Sequence, residues 1–214
     1  MPKAEQLSTS RLEAFSDGVI AFAATLLVVG VTIPHLTNPG SAREMAGLLR
    51  DQIPNFLIYA VSFGTLTVWW LAHHQLFHHI RSTDRVLLLL NGGFLFFIAF
   101  LPFPTSLVGQ YPSNPAASSL YGIVGGLTGI CVLAIRLYAG RPGGPMDAVL
   151  GPDDRRRFLR RSAMSPCAYF GGAVLALFHP GAALALYAAI AIYFVIPLRR
   201  RAAAQDGAPG APPL

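Results

Sequence analysis

The chain has 214 residues, of which 53% are hydrophobic and only 12% are charged, with a mean hydropathy of +0.51. Apolar runs this long cannot be enclosed by a soluble core of this size, so a water-soluble enzyme or binding module is excluded and an all-α polytopic membrane protein is indicated. The formal net charge of +6 is accounted for by arginines beside the membrane and by anionic lipid heads, so no nucleic-acid partner is required.

About 20 residues at about 1.5 Å each cross ~30 Å of hydrocarbon, and the sequence supplies six such segments. The first is 15–33, a retained span, because the chain keeps returning to the membrane and no small-residue cleavage site follows Pro34. The stretch 37–52 lies outside, and within it 42–49 carries mixed charges that predict a short amphipathic surface helix. The second and third spans are 53–72 and 86–107, followed by an uncharged, turn-rich external loop at 108–119. The fourth is 120–138, and Gly, Pro, Asp and Arg make 140–157 a flexible cytosolic linker. The fifth and sixth, 158–178 and 181–198, are joined by His179-Pro180 as a tight hairpin. Residues 1–201 thus form one six-helix transmembrane domain, and 202–214 a disordered cytosolic tail.

Every Lys and Arg except Arg43 and Arg50 falls on one side of this topology. The positive-inside rule puts that side, and both termini, in the cytosol of a multi-pass plasma-membrane protein. The use of arginine almost to the exclusion of lysine, with abundant Ala, Gly and Pro, points to a GC-rich bacterial genome. Cys131 and Cys167 fall inside spans as small packing residues, with no disulfide or zinc spacing. Gly122 with Gly126, and Gly125 with Gly129, permit close helix approach within one subunit. Pro102, Pro104, Pro166 and Pro197 kink or end their helices.

The first span opens on Arg11, Ser16 and Asp17, and charged or hydroxyl groups at the mouth of a membrane helix need partners. Trp70, His73 or His74, Arg81, Asp84 and Asn91 come to the same membrane surface and supply candidates. Along the first helix, Phe15, Gly18 or Val19, Phe22, Leu26, Val29 and Ile33 recur at three- and four-residue steps, with Thr25 beside Phe22 and Leu26. That stripe faces either acyl chains or neighbouring helices. His74 and His78 stand four residues apart with His79 adjacent, a spacing that can hold a metal on a helix. The remaining histidines, His35 and His179, fall on the opposite side, so the cluster reads as structural, and neither a metal nor a cofactor is expected.

Arg11 with Phe15-Ser16-Asp17-Gly18 opening the first of six helices resembles the arginine-plus-FSD signature of the transmembrane protein 175 potassium channels in their short bacterial form. Trp70-x-x-His73-His74-x-Leu76-Phe77, Asp84, Asn91 and Leu101-Pro102-Phe103-Pro104 are similar to that family's second and third helices. The resemblance covers 11–107. It implies a potassium-permeable channel, not an enzyme, assembled as a homotetramer with the first helix of each subunit lining a central pore and K+ as the permeant ion. It further implies that Phe22, Leu26 and Val29 are hydrophobic pore layers, that Thr25 serves potassium preference, and that Arg11, Phe15, Ser16, Asp17, Trp70, His73 and His74 form a structural polar cluster. Phe22 stands where the family commonly has isoleucine or leucine, which makes an apolar gate above the inner mouth the expected mechanism. A carbonyl-ring filter of the Thr-Val-Gly-Tyr-Gly type is absent. Two rivals are a proton-coupled secondary transporter using Asp17 and a histidine, and a histidine-box metalloenzyme.

Overall fold

The computed structural model describes residues 9–31, 34–141, 143–146 and 152–206, and side chains within them except at 152–161 and 195–206. Its elements are α1 (Thr9–Val29), α2 (Ala42–Asp51), α3 (Ile53–Phe77), α4 (Arg85–Phe100), α5 (Pro102–Gln110), α6 (Pro115–Ala139), α7 (Pro152–Ala176) and α8 (Pro180–Asp206). With α4 and α5 taken as one broken rod, six helical rods remain besides the short α2. Four of them, Thr9–Val29, Ile53–Phe77, Arg85–Gln110 and Pro115–Ala139, are long and apolar enough to cross a membrane.

Local chemistry sets the ends. Asp84 caps α4 by accepting from the Leu87 amide at 2.8 Å, and Asn114 caps α6 by accepting from Ala116 at 2.9 Å, with Pro115 in the first turn, where its missing N–H is not needed. Pro102 interrupts the third rod between α4 and α5, since it cannot donate back along the helix. Pro166 instead lies inside α7 without ending it, and the glycine opposite explains the fit: a Cβ on Gly129 would sit 3.0 Å from the proline Cδ.

The centre of the bundle is α6, whose glycine face receives α7 and α8. A Cβ at Gly122 would meet the Tyr187 hydroxyl, one at Gly125 would lie 2.5 Å from the Tyr169 ring, and one at Gly126 would lie 2.8 Å from Phe170. The two G-x-x-x-G pairs therefore serve packing within the subunit. Behind them Tyr121, Tyr169 and Tyr187 stack at 5.2–5.6 Å between centroids. A buried hydroxyl chain runs from Thr105 to Ser62 at 3.1 Å, on to Tyr121 at 3.3 Å and then to Thr65 at 3.4 Å, tying α5, α3 and α6 where no water competes.

Several expected boundaries move. α1 stops at Val29, ahead of the turn residue Gly30, whose carbonyl accepts from Ser106 of α5 at 3.3 Å; Ile33 lies outside the described residues. The 108–119 loop shrinks to 111–114 because α5 continues to Gln110. The start of the 140–157 linker is docked rather than flexible: Met146 is buried and donates to the Ala139 carbonyl, and Arg81 donates to the Pro145 carbonyl at 3.1 Å. Arg141 stacks 3.7 Å over the Tyr138 ring and pairs with Asp84 at 3.8 Å, while the Tyr138 hydroxyl donates to Asp84. α8 extends to Asp206, and 207–214 lie outside the described residues.

Two outcomes follow from this packing. Gly125→Leu, which drives a side chain into Tyr169, is expected to destabilise the detergent-solubilised protein by about 1–3 kcal/mol, read as an earlier thermal transition; an unchanged transition would separate α6 from α7. Partial desolvation pushes the Asp84 carboxyl up, but the Tyr138 hydroxyl, the Leu87 amide and Arg141 outweigh it and hold the group below its usual range. A lowered carboxylate contributes stability that is present above its ordinary value near 3.8 and is lost as pH falls through its folded value. Thermal stability of the wild type should therefore decline below about pH 4 by more than that of Asp84→Asn, and parallel profiles would remove Asp84 from the docked turn.

Candidate pore face and polar clasp

α1 packs on α3, α4 and α5 through Leu12, Ser16, Ile20, Ala23 and Leu27, a three- and four-residue repeat that places one stripe inward. Ser16 interrupts that apolar stripe and is fully buried. Its hydroxyl donates to the Leu12 carbonyl at 2.8 Å and accepts from the Asn91 amide of α4 at 2.9 Å. The Asn91 carbonyl oxygen lies 2.9 Å from His73 Nε2 of α3, so the imidazole carries a proton on Nε2. Phe77 and Phe94 both stack on His73, at 4.2 and 5.1 Å between ring centroids, fixing its ring. One buried chain, Ser16 to Asn91 to His73, thus joins three helices.

A second layer lies nearer the surface. The Trp70 indole donates to Asp17 at 2.9 Å, and His74 Nδ1 lies 3.0 Å from a Glu13 carboxylate oxygen. The Trp70 and His74 rings stack 5.9 Å apart. Glu13 and Asp17 are one turn apart on α1, as are Trp70 and His74 on the antiparallel α3, so the two contacts sit side by side in matching register.

The structure brings Ser16, Asp17, Trp70, His73 and His74 together. Arg11 and Phe15 lie outside this network: both are exposed on the opposite side of α1, and among the described residues Arg11 makes no ion pair. Phe15 at 63%, Phe22 at 65% and Val29 at 76% exposure continue that side, together with Gly18 and Thr25, while Leu26 is half-buried at its edge. Thr25 donates its hydroxyl proton to the Phe22 carbonyl at 2.7 Å, leaving its oxygen lone pairs outward.

Glu13 escaped the sequence reading, although its position four residues before Asp17 was a signal once Trp70 and His74 were seen at the same spacing. Asn91 stood among the candidate partners but was not placed as the link between Ser16 and His73. The histidine stretch forms no metal-binding group among the described residues: His74 turns to Glu13, and His79 donates from Nδ1 to the Gln75 carbonyl at 2.7 Å.

A protein-family model described as endosomal/lysosomal potassium channel TMEM175 matches residues 11–102, the part holding both the clasp and the uncovered face of α1. A potassium channel of Streptomyces collinus is 30% identical over 190 residues, spanning 87% of this chain and 91% of that protein. The chain belongs to the TMEM175 family. A crystal structure of a lysosomal potassium-selective channel TMEM175 homologue from Chamaesiphon minutus superposes with a TM-score of 0.77 at 26% identity, covering 88% of this chain and 97% of that one. The human endosomal/lysosomal proton channel TMEM175 is 37% identical over 116 residues, 52% of this chain but only 23% of its own length. These TMEM175 relatives are named as channels, which leaves the metalloenzyme rival without support.

Asn91→Ala strips Ser16 and His73 of their shared partner in a buried site and is expected to cost about 1–3 kcal/mol. Trp70→Phe removes one exposed hydrogen bond and should cost about 1 kcal/mol or less. Thermal unfolding of both variants in detergent checks the ranking, and a reversed order would shift the clasp's centre to the surface layer.

Proposed function

We propose that the chain forms a potassium-permeable channel as a homotetramer in the bacterial plasma membrane, with both termini cytosolic, lipid around it and no cofactor beyond the permeant K+. The carrying observation is the exposed stripe of α1. Phe15, Gly18, Phe22, Thr25 and Val29 point away from a chain that covers the other side of the same helix with α3, α4 and α5. Four copies arranged around that stripe enclose an axis. The names of the Streptomyces and Chamaesiphon relatives support potassium as the ion.

In this arrangement Phe22, Leu26 and Val29 form successive apolar layers over about 10 Å of helix. When the Phe22 rings close, the neck sheds water and a cation cannot give up its hydration shell to enter. Thr25 lies one turn from Phe22, and its hydroxyl, already donating to the Phe22 carbonyl, presents only acceptor lone pairs to an ion. Four such oxygens replace part of a hydration shell and give potassium its preference. Arg11 and Phe15 stand at the inner mouth on the same stripe, while Ser16, Asp17, Trp70, His73 and His74 hold the helix from behind.

The name of the human relative makes protons the second permeant to measure. In planar bilayers, Phe22→Ala is expected to raise leak current severalfold, and Thr25→Ala to bring potassium and sodium permeabilities closer together. Unchanged currents in both variants would remove α1 from the pore, and a current that follows the proton gradient alone would replace potassium as the ion.

A further inference from the structure

The short helix α2 is the most sharply two-faced element of the molecule, and the pore reading makes no use of it. At 100° per residue, Ala42, Met45, Ala46, Leu48 and Leu49 fall within one arc of about 160°, while Arg43, Glu44, Gly47, Arg50 and Asp51 fill the other. No residue of α2 is buried, and Met45 and Leu49 are 42% and 50% exposed. Its packing contact is with α3, so the chain leaves most of the apolar arc uncovered.

Two tethers fix where that arc can go. Gln52 is the single residue between α2 and α3, and it closes one helix and opens the other, so α2 is held at the level where α3 enters the membrane. The exposed Met45 and Leu49 continue directly into the exposed Ile53, Phe56 and Leu57 of that span. At the other end Glu44 gathers the connection from α1: its carboxylate accepts from the Thr37 amide at 2.7 Å, the Thr37 hydroxyl at 2.6 Å and the Asn38 amide at 2.9 Å. Ser41 caps the helix by accepting from the Glu44 amide. The element is therefore joined directly to α3 at one end and knotted to residues Thr37 and Asn38 of its own lead-in at the other.

We infer that α2 is an interfacial anchor, lying in the plane of the membrane surface with Met45, Leu48 and Leu49 among the upper acyl chains and Arg43 and Arg50 among phospholipid headgroups. Lipid is the occupant because the apolar arc is continuous with the exposed apolar side of α3 and is bordered along one edge by Arg43 and Arg50, placed to meet phosphate, while of Glu44 and Asp51 on the other edge Glu44 is already engaged by Thr37 and Asn38. Through Gln52 the anchor sets the depth of α3. This assignment is independent of which ion the chain passes.

Spin labels test it in the full-length protein with Cys131→Ala and Cys167→Ala, reconstituted in phosphatidylcholine vesicles. Labels are attached singly to Met45→Cys, Leu49→Cys, Arg43→Cys and Arg50→Cys. The expected result is collision with oxygen exceeding collision with a water-soluble nickel chelate severalfold at 45 and 49, with the ratio reversed at 43 and 50. Nickel access at all four positions would lift the helix off the membrane, and oxygen dominance at all four would sink it into the hydrocarbon. Protection of 45 and 49 from both reagents would assign the arc to protein, a second copy of this chain being the candidate. Each of these three results overturns the anchor.

Discussion

The hydrogen-bond chain from Ser16 through Asn91 to His73 is the constraint on which the α1 side of the bundle depends. In an apolar interior each of these groups is costly alone, and one arrangement pairs the Ser16 hydroxyl, the Asn91 amide and His73 Nε2 with one another, leaving His73 Nδ1 without a hydrogen bond among the described residues. Because the three residues lie on three helices, that arrangement also fixes how α1 sits against α3 and α4. The surface contacts of Asp17 with Trp70 and Glu13 with His74 add register but lie where water competes, so they are adjustable where the inner chain is not.

The α6 side is held by different physics. Between helices in lipid there is little hydrophobic drive, so close contact and shared hydrogen bonds must do the joining. Glycines 122, 125, 126 and 129 create the close contact, and Tyr169, Phe170 and Pro166 of α7 with Tyr187 of α8 fill the space they leave. The hydroxyl chain of Thr105, Ser62, Tyr121 and Thr65 bridges the two sides. One half is thus specified by polar pairing and the other by shape, with a hydroxyl seam between them.

The six helical rods and the short two-faced helix were legible because hydropathy and periodicity are properties of neighbouring residues. The convergence of Ser16, Asp17, Trp70 and His73 was also within reach, since buried polar groups demand partners and few were on offer. Glu13 was not singled out because an acidic residue at a helix mouth is unremarkable until the opposing helix is in view. The docking of 140–141 and 143–146 was invisible for a related reason. Gly, Pro and Arg read as a loose linker, and only the meeting of Arg141 with Tyr138 and Asp84, 54 residues apart in the chain, closes it. Ser62, Thr65 and Thr105 passed as ordinary members of apolar helices because a hydroxyl can bond its own backbone and needs no distant partner.

The matched spacing of Glu13 and Asp17 against Trp70 and His74 has a mechanical meaning. Two rows that each repeat after one turn behave like a toothed rack. If α1 slid along α3 by a full turn, about 5.4 Å, Asp17 would arrive opposite His74 and one carboxylate would find a new seat. A slide of half a turn seats neither. Sliding of the first helix is thereby divided into coarse notches, and any finer adjustment of the stripe bearing Phe22 and Thr25 must come from swivelling about the rack rather than travel along it.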